Sequence, residues 1–255
     1  MVSGKLADAL KCALMMCRRG AAIEYSFQRR MAAWSIHLLT ASGAVWCLLA
    51  IDAVVAAEWR VAFGWLALAV AVDAVDGVLA RTVGVARVVP GFDGALLDNI
   101  VDYVSYVFVP AFLMHRAQLF PPDWSLVLCG AICVASGYQF CQSEAKLPEH
   151  AFKGFPSYWN IVALYLLVGE LPRVANSLVV LLLMGLVFVP IPYVYPTRTL
   201  AARSWTLTLT GLWGIAIVAI IWQLPTPSSW LVWASWLYVA YYVGLSLCLL
   251  RQTRR

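Results

Sequence analysis

Four aspartates, set at helical spacing inside two apolar stretches, constrain this chain more than any other feature. They occur as Asp73-x-x-Asp76-Gly77-x-x-Ala80-Arg81, then twelve residues, then Gly94-x-x-x-Asp98-x-x-x-Asp102. The stretch before Asp73 (61–72) and the stretch after Asp98 (100–113) both read as membrane helices. A charge near a bilayer centre costs roughly 3 kcal/mol or more, so it is retained there for function and needs a partner. Asp73 and Asp76 stand i, i+3, and Asp98 and Asp102 stand i, i+4, so each pair projects from a single helix face. Two such faces turned together form an all-oxygen cage. Carboxylates without cysteine or neutral histidine suit hard divalent cations, Mg²⁺ or Mn²⁺, and four of them suffice for two ions that clamp an in-line phosphoryl transfer. The alternative is four unrelated acids, each neutralised by protonation or by a base.

The residues around the acids narrow the ligand. Gly77 follows Asp76, and Gly94 precedes Asp98 by one helical turn. Both clear space beside a carboxylate, for a ligand or for a neighbouring helix. Arg81 stands one turn past Gly77, where its fork of donors suits a pyrophosphate oxygen, and where it also suits a positive-inside anchor. Asp93, just ahead of the second helix, reads as its N-cap.

With 63% hydrophobic residues, 12% charged residues and a mean hydropathy of +0.81, the chain has too little polar surface for a soluble domain of its size. Eight apolar stretches read as spans: 34–56, 61–79, 95–114, 124–140, 158–168, 174–193, 204–222 and 230–250. If the N-terminus is cytoplasmic and the spans alternate, only Arg60, Arg116 and Arg173 of the 18 Lys and Arg residues fall outside. That bias places both termini and the acid-bearing helix ends in the cytoplasm, and the net charge of +5 then reports orientation rather than nucleic-acid binding. Residues 1–30, basic with Leu6, Leu10, Leu14 and Met15 interspersed, read as a retained interfacial segment ahead of one transmembrane domain over 31–255. The seven cysteines, odd in number and mostly within apolar stretches, imply no disulfide framework. Cys129 and Cys133 share a face but lack two further soft ligands for zinc.

The order DxxDGxxAR…GxxxDxxxD resembles the signature of the CDP-alcohol phosphotransferases, membrane enzymes that join an alcohol to a CDP-activated substrate and release CMP. The twelve-residue spacer, 82–93, is longer than that family's usual one. In this it is similar to the bacterial phosphatidylcholine synthase branch, as are HLLTASG (37–43), FDGALLDNIVDY (92–103), GFPSYWN (154–160) and VPIPYVYPTR (189–198). The resemblance runs from about residue 32 to near the C-terminus. It implies an all-α integral membrane protein of about eight transmembrane helices, a six-helix core with an added C-terminal pair. It also implies a multi-pass place in a bacterial inner membrane, with room for a homodimer.

For the site, the resemblance makes Asp73, Asp76 and Asp98 the principal ligands of two divalent cations, Mn²⁺ or Mg²⁺. Asp102 lies near the second ion and takes the alcohol proton. Asp73, Gly77, Ala80, Arg81 and Gly94 bind the CDP moiety. The donor it implies is CDP-diacylglycerol, held among membrane lipid, and the acceptor is choline. A quaternary ammonium donates no hydrogen bonds and calls for aromatic faces, for which Tyr106, Trp159 and Tyr193 are the candidates; the membrane-interface aromatic belt is the competing account of each. Few spare cations near the acids disfavour a phosphorylated acceptor and leave serine as the alternative. From another class, intramembrane acids also suit an ion or proton transporter, although neither inverted repeats nor broken helices are evident.

Overall fold

The computed structural model describes residues 25–142, 151–194 and 203–253. Its helices are α1 (Phe27–Val55), α2 (Trp59–Val83), the single turn α3 (Val85–Val88), α4 (Gly94–Arg116), α5 (Pro122–Cys141), α6 (Trp159–Val168), α7 (Arg173–Phe188), α8 (Arg203–Gln223) and α9 (Ser229–Thr253). Six of them, α1, α2, α4, α5, α8 and α9, are long and apolar enough to cross a membrane. The apolar helices α6 and α7, of 10 and 16 residues, rise about 15 and 24 Å against a hydrocarbon core of about 30 Å. The chain is thus an α-helical, multi-pass membrane protein, and its described residues contain six full-length spans and two shorter apolar helices, the short fifth stretch among them.

Two boundaries differ from the sequence reading in an informative way. The first helix starts at Phe27, seven residues ahead of the expected span, because Ser26 caps it by accepting the N–H of Arg29 at 3.4 Å. The sixth expected span, 174–193, stops as a helix at Phe188, since Pro190 and Pro192 lack the N–H a helix needs. The chain instead runs extended into β2 (Pro192–Val194), which pairs antiparallel with β1 (Ala151–Lys153), Phe152 opposite Tyr193. This small ladder is the element the sequence did not suggest. The interfacial segment expected over 1–30 falls mostly among residues outside those described, as do Lys146, Tyr195 and Arg198.

Helices α1 and α2 form the closest pair because both present small residues to each other. The buried stripe of α1 runs through Ala33, Ile36, His37, Thr40, Gly43, Cys47, Ala50 and Val54, a three-and-four repeat that lets backbones approach. That of α2 runs through Ala62, Leu66, Ala69 and Asp76, and Asp73 falls on the same register. The inward face of α2 therefore changes from hydrocarbon to carboxylate along its length. Its C-terminus is closed by Gly84 at φ 72°, whose N–H reaches the Ala80 carbonyl. Side chains on the outer faces, such as Leu38, Val134, Leu182 and Trp233, are exposed and available to lipid.

Helix α4 widens into a π-helical stretch at Tyr103–Phe108, directly after Asp102. Pro110 supplies the physical cause. It has no N–H, and its ring would meet the carbonyl four residues back, at Tyr106; widening the turn lifts that carbonyl away. The Val109 N–H accordingly reaches back five residues to the Val104 carbonyl.

The C-terminal pair docks on the rest of the bundle through buried polar contacts. Tyr165 of α6 donates to Ser235 of α9 at 2.9 Å and accepts the indole N–H of Trp213 of α8 at 3.0 Å. The loop 154–158 is fixed against the end of α7, where Gly154 donates to the Ile191 carbonyl and Phe155 to that of Leu186. Gly154 sits at φ 85°, and a Cβ there would collide with the Val187 carbonyl. Gly154→Ala should therefore destabilise the protein by about 2 kcal/mol or more, read as a lower melting temperature in detergent, because the left-handed backbone and the collision add.

Candidate active site

The carboxylates converge from two helices. Asp73 of α2 and Asp98 and Asp102 of α4 each bring an oxygen within 4.8 Å of the others, all three half-buried. The expected i, i+4 pairing of Asp98 and Asp102 on one face is what closes this set. Asp93 caps α4 as expected, accepting the Leu96 N–H at 3.0 Å. The donor set is oxygen only, concentrated and anionic, so it fits a hard divalent cation of the Mg²⁺ or Mn²⁺ type.

Asp76 is placed differently. It is 4% exposed, and its Oδ2 accepts the Thr40 hydroxyl at 2.6 Å. Thr40 Oγ1 also lies 3.3 Å from the Ile36 carbonyl, but its one proton belongs to the shorter, charge-assisted contact. The pairing ties the Asp76 carboxylate to α1, and Asp76 is not among the three acids whose oxygens converge. Thr40→Val should lower kcat by roughly ten- to hundred-fold, the range for losing a hydrogen bond to a charged group, with Thr40→Ser restoring it. A steady-state assay of the folded variants checks this.

The glycines were expected to clear space beside a carboxylate; the structure sets side chains against both. The Arg81 guanidinium folds back along its helix, and a Cβ on Gly77 would sit 3.3 Å from its Nη1. A Cβ on Gly94 would lie 2.6 Å from the His37 ring. His37 thus occupies the space that Gly94 leaves open, packed also on Phe92 at 4.5 Å between ring centroids, and its buried Nε2 has no hydrogen-bond partner. Ala80 is half-buried on the same helix, and Arg81 is exposed.

The aromatic candidates separate into two roles. Tyr106 donates its hydroxyl to Asp73 Oδ2 at 2.8 Å, so its phenol belongs to the carboxylate cluster. Its ring neighbours that of Tyr158 at 5.9 Å. Tyr193 is buried on β2, near Phe155 and Tyr242 at 6.4 and 6.3 Å. Burial pushes its phenol up from the ordinary value, so it remains neutral at physiological pH. Trp159 lies outside this group of phenols: it is fully buried, donates its N–H to Ser136 at 2.7 Å and packs on Phe155. Asn160 accepts the Ile161 N–H at 2.8 Å, within its own helix start. Sequence reasoning did not reach the Thr40–Asp76 pairing, Tyr242 or the π-helical turn. Pro110 was the legible signal for the last.

Known proteins place this arrangement. Residues 35–191 match the family model for CDP-alcohol phosphatidyltransferases. A phosphatidylcholine synthase of Legionella pneumophila is 38% identical over 229 residues, covering 87% of this chain and 90% of the relative. One of Pseudomonas aeruginosa is 36% identical over 222 residues, with 87% and 92% covered. One of Rhizobium meliloti is 38% identical over 221 residues, with 84% and 90% covered. The matched segment contains all four aspartates, Arg81 and both glycines, and the chain belongs to the CDP-alcohol phosphatidyltransferase family.

Proposed function

We propose that the chain is a phosphatidylcholine synthase, transferring the phosphatidyl group of CDP-diacylglycerol to choline and releasing CMP. The observation that carries this reading is the convergence of Asp73, Asp98 and Asp102 beside Gly77 and Arg81, in a family member whose relatives of that name match it along most of its length. Acyl tails remain in lipid between helices while the pyrophosphate meets the carboxylate cluster near the cytoplasmic helix ends. Asp73, Asp76, Asp98 and Asp102 would hold two divalent cations, Mn²⁺ or Mg²⁺, which would supply charge neutralisation for the pyrophosphate. Arg81 grips a phosphate oxygen, and Gly77 and Gly94 keep the approach open.

Asp102 takes the choline hydroxyl proton. The choline oxygen then forms a bond to the phosphatidyl phosphorus as the bond from that phosphorus to the bridging oxygen breaks, and the electron pair leaves with CMP. No covalent enzyme intermediate enters. The positive-inside bias supports a reaction on the cytoplasmic face of a bacterial inner membrane, where choline would enter and CMP depart in water.

The test is purified protein with CDP-diacylglycerol, Mn²⁺ or Mg²⁺, and labelled choline, serine or glycerol phosphate. Phosphatidylcholine and CMP should form in equal amounts without any membrane gradient, which also separates this reading from a transporter. Preference for serine or glycerol phosphate would overturn the choline assignment and leave the family chemistry standing.

A further inference from the structure

We propose that Tyr242, on the last helix, completes a phenol-lined subsite with Tyr158 and Tyr193 that holds the trimethylammonium head of the acceptor, so that the added C-terminal helix selects the alcohol. This rests on the choline reading above and assigns to it residues beyond the family core.

The match to the family ends at residue 191, and Tyr193 and Tyr242 lie past it. The core therefore supplies the carboxylates, and the part outside it is where a branch can set its own acceptor. Structurally that part reaches the site. Helix α9 packs on β2, and the Tyr242 ring lies 6.3 Å from Tyr193 and 6.4 Å from Tyr238. Tyr242 is also near enough to Tyr158 to interact with it electrostatically. Tyr158 neighbours Tyr106, whose hydroxyl is held by Asp73. Tyr106 and Tyr158 thus extend the cluster from Asp73, and Tyr193 and Tyr242 join β2 to the last helix.

The site loop is built to place Tyr158: Gly154, with its positive φ, and buried Phe155 anchor the turn at the start of α6.

The Tyr242 hydroxyl is buried and has no hydrogen-bond partner. An orphaned buried phenol requires an explanation, and here the neighbouring rings of Tyr193 and Tyr238 leave it unsatisfied. Electron-rich ring faces and phenol oxygens are what a cation lacking N–H donors needs.

The experiment compares the intact protein with its Tyr242→Ala, Tyr242→Leu and Tyr242→Phe variants. Each is assayed with choline and with 3,3-dimethylbutan-1-ol, the neutral carbon analogue of choline. Tyr242→Ala and Tyr242→Leu should raise the choline KM by roughly ten- to thirty-fold, leave the CDP-diacylglycerol KM within about two-fold, and erase the preference for choline over the neutral analogue. Tyr242→Phe, keeping the ring face, should recover most of the choline affinity. Leucine preserves the packing volume, so a poorly folded alanine variant leaves the comparison intact. An unchanged choline KM and an unchanged preference for the charged acceptor in Tyr242→Leu would overturn the subsite. A wild-type protein that uses serine and ignores choline would instead overturn the choline reading itself.

Discussion

Removing divalent cations should stop turnover: EDTA is expected to lower CMP release from CDP-diacylglycerol and choline by on the order of a thousand-fold or more, and Mn²⁺ or Mg²⁺ to restore it. The reason is electrostatic before it is catalytic. Three carboxylate oxygens from Asp73, Asp98 and Asp102 lie within 4.8 Å of one another in a helical membrane protein. Anions that close repel strongly in a poorly polarisable medium, and a pyrophosphate brought among them adds to the repulsion unless cations intervene. Asp98→Ala removes one carboxylate of the three and should show the same deficit at every metal concentration reachable. The effect also has a readout independent of activity. A cation binding only the folded protein at a hundred times its Kd stabilises it by about 2.7 kcal/mol, so the melting temperature in detergent should rise on adding Mn²⁺ to wild type and stay flat for Asp98→Ala. Full activity in excess chelator, together with a metal-insensitive melting temperature, would sink the carboxylate cage as a metal site.

How far the residues alone reach depends on whether the deciding force is local. The pairing of Asp98 with Asp102, the Asp93 cap and the helices carrying them follow from helical period and capping chemistry within a few residues, and they were legible. The breadth of the membrane-spanning architecture was legible too, from runs of apolar residues. The partner of Asp76 was not, because Thr40 lies 36 positions away on another helix, and only the close packing of α1 on α2 brings them together. The strand pair escaped notice for a similar reason. Its three-residue strands are separated by two helices, and their pairing is set by where α5 and α7 end, not by any pattern within 151–153 or 192–194. Val189–Tyr193 was read as helix because apolar content outweighed the two prolines, when the missing N–H groups decide the matter. The phenols are the extreme case: Tyr106 with Tyr158, and Tyr193 with Tyr242, span 136 positions of sequence and pair only in three dimensions.

Asp102→Asn should separate proton transfer from ligand binding, lowering kcat by roughly a hundred- to ten-thousand-fold while CDP-diacylglycerol binding survives. Asparagine keeps one oxygen at the position a metal ligand occupies, and it keeps the volume that lets α4 pack. What it removes is the second oxygen and the negative charge that accept the alcohol proton. Asp102 stands one helical turn past Asp98, immediately before the π-helical stretch, and Tyr106 beyond it is committed to Asp73. The next carboxylate is therefore not free to take over the role, since Asp73 already accepts that phenol and belongs to the same cluster. Binding of CDP-diacylglycerol measured by titration in the presence of Mn²⁺, beside kcat for choline, distinguishes the two functions. Equal loss of binding in Asp102→Asn and Asp98→Ala would make Asp102 chiefly a ligand, and the proton would then have to leave by water. Retained binding with a collapsed rate would show that one carboxylate of the cluster is held in position for the incoming hydroxyl, with the metal-binding work resting on its neighbours.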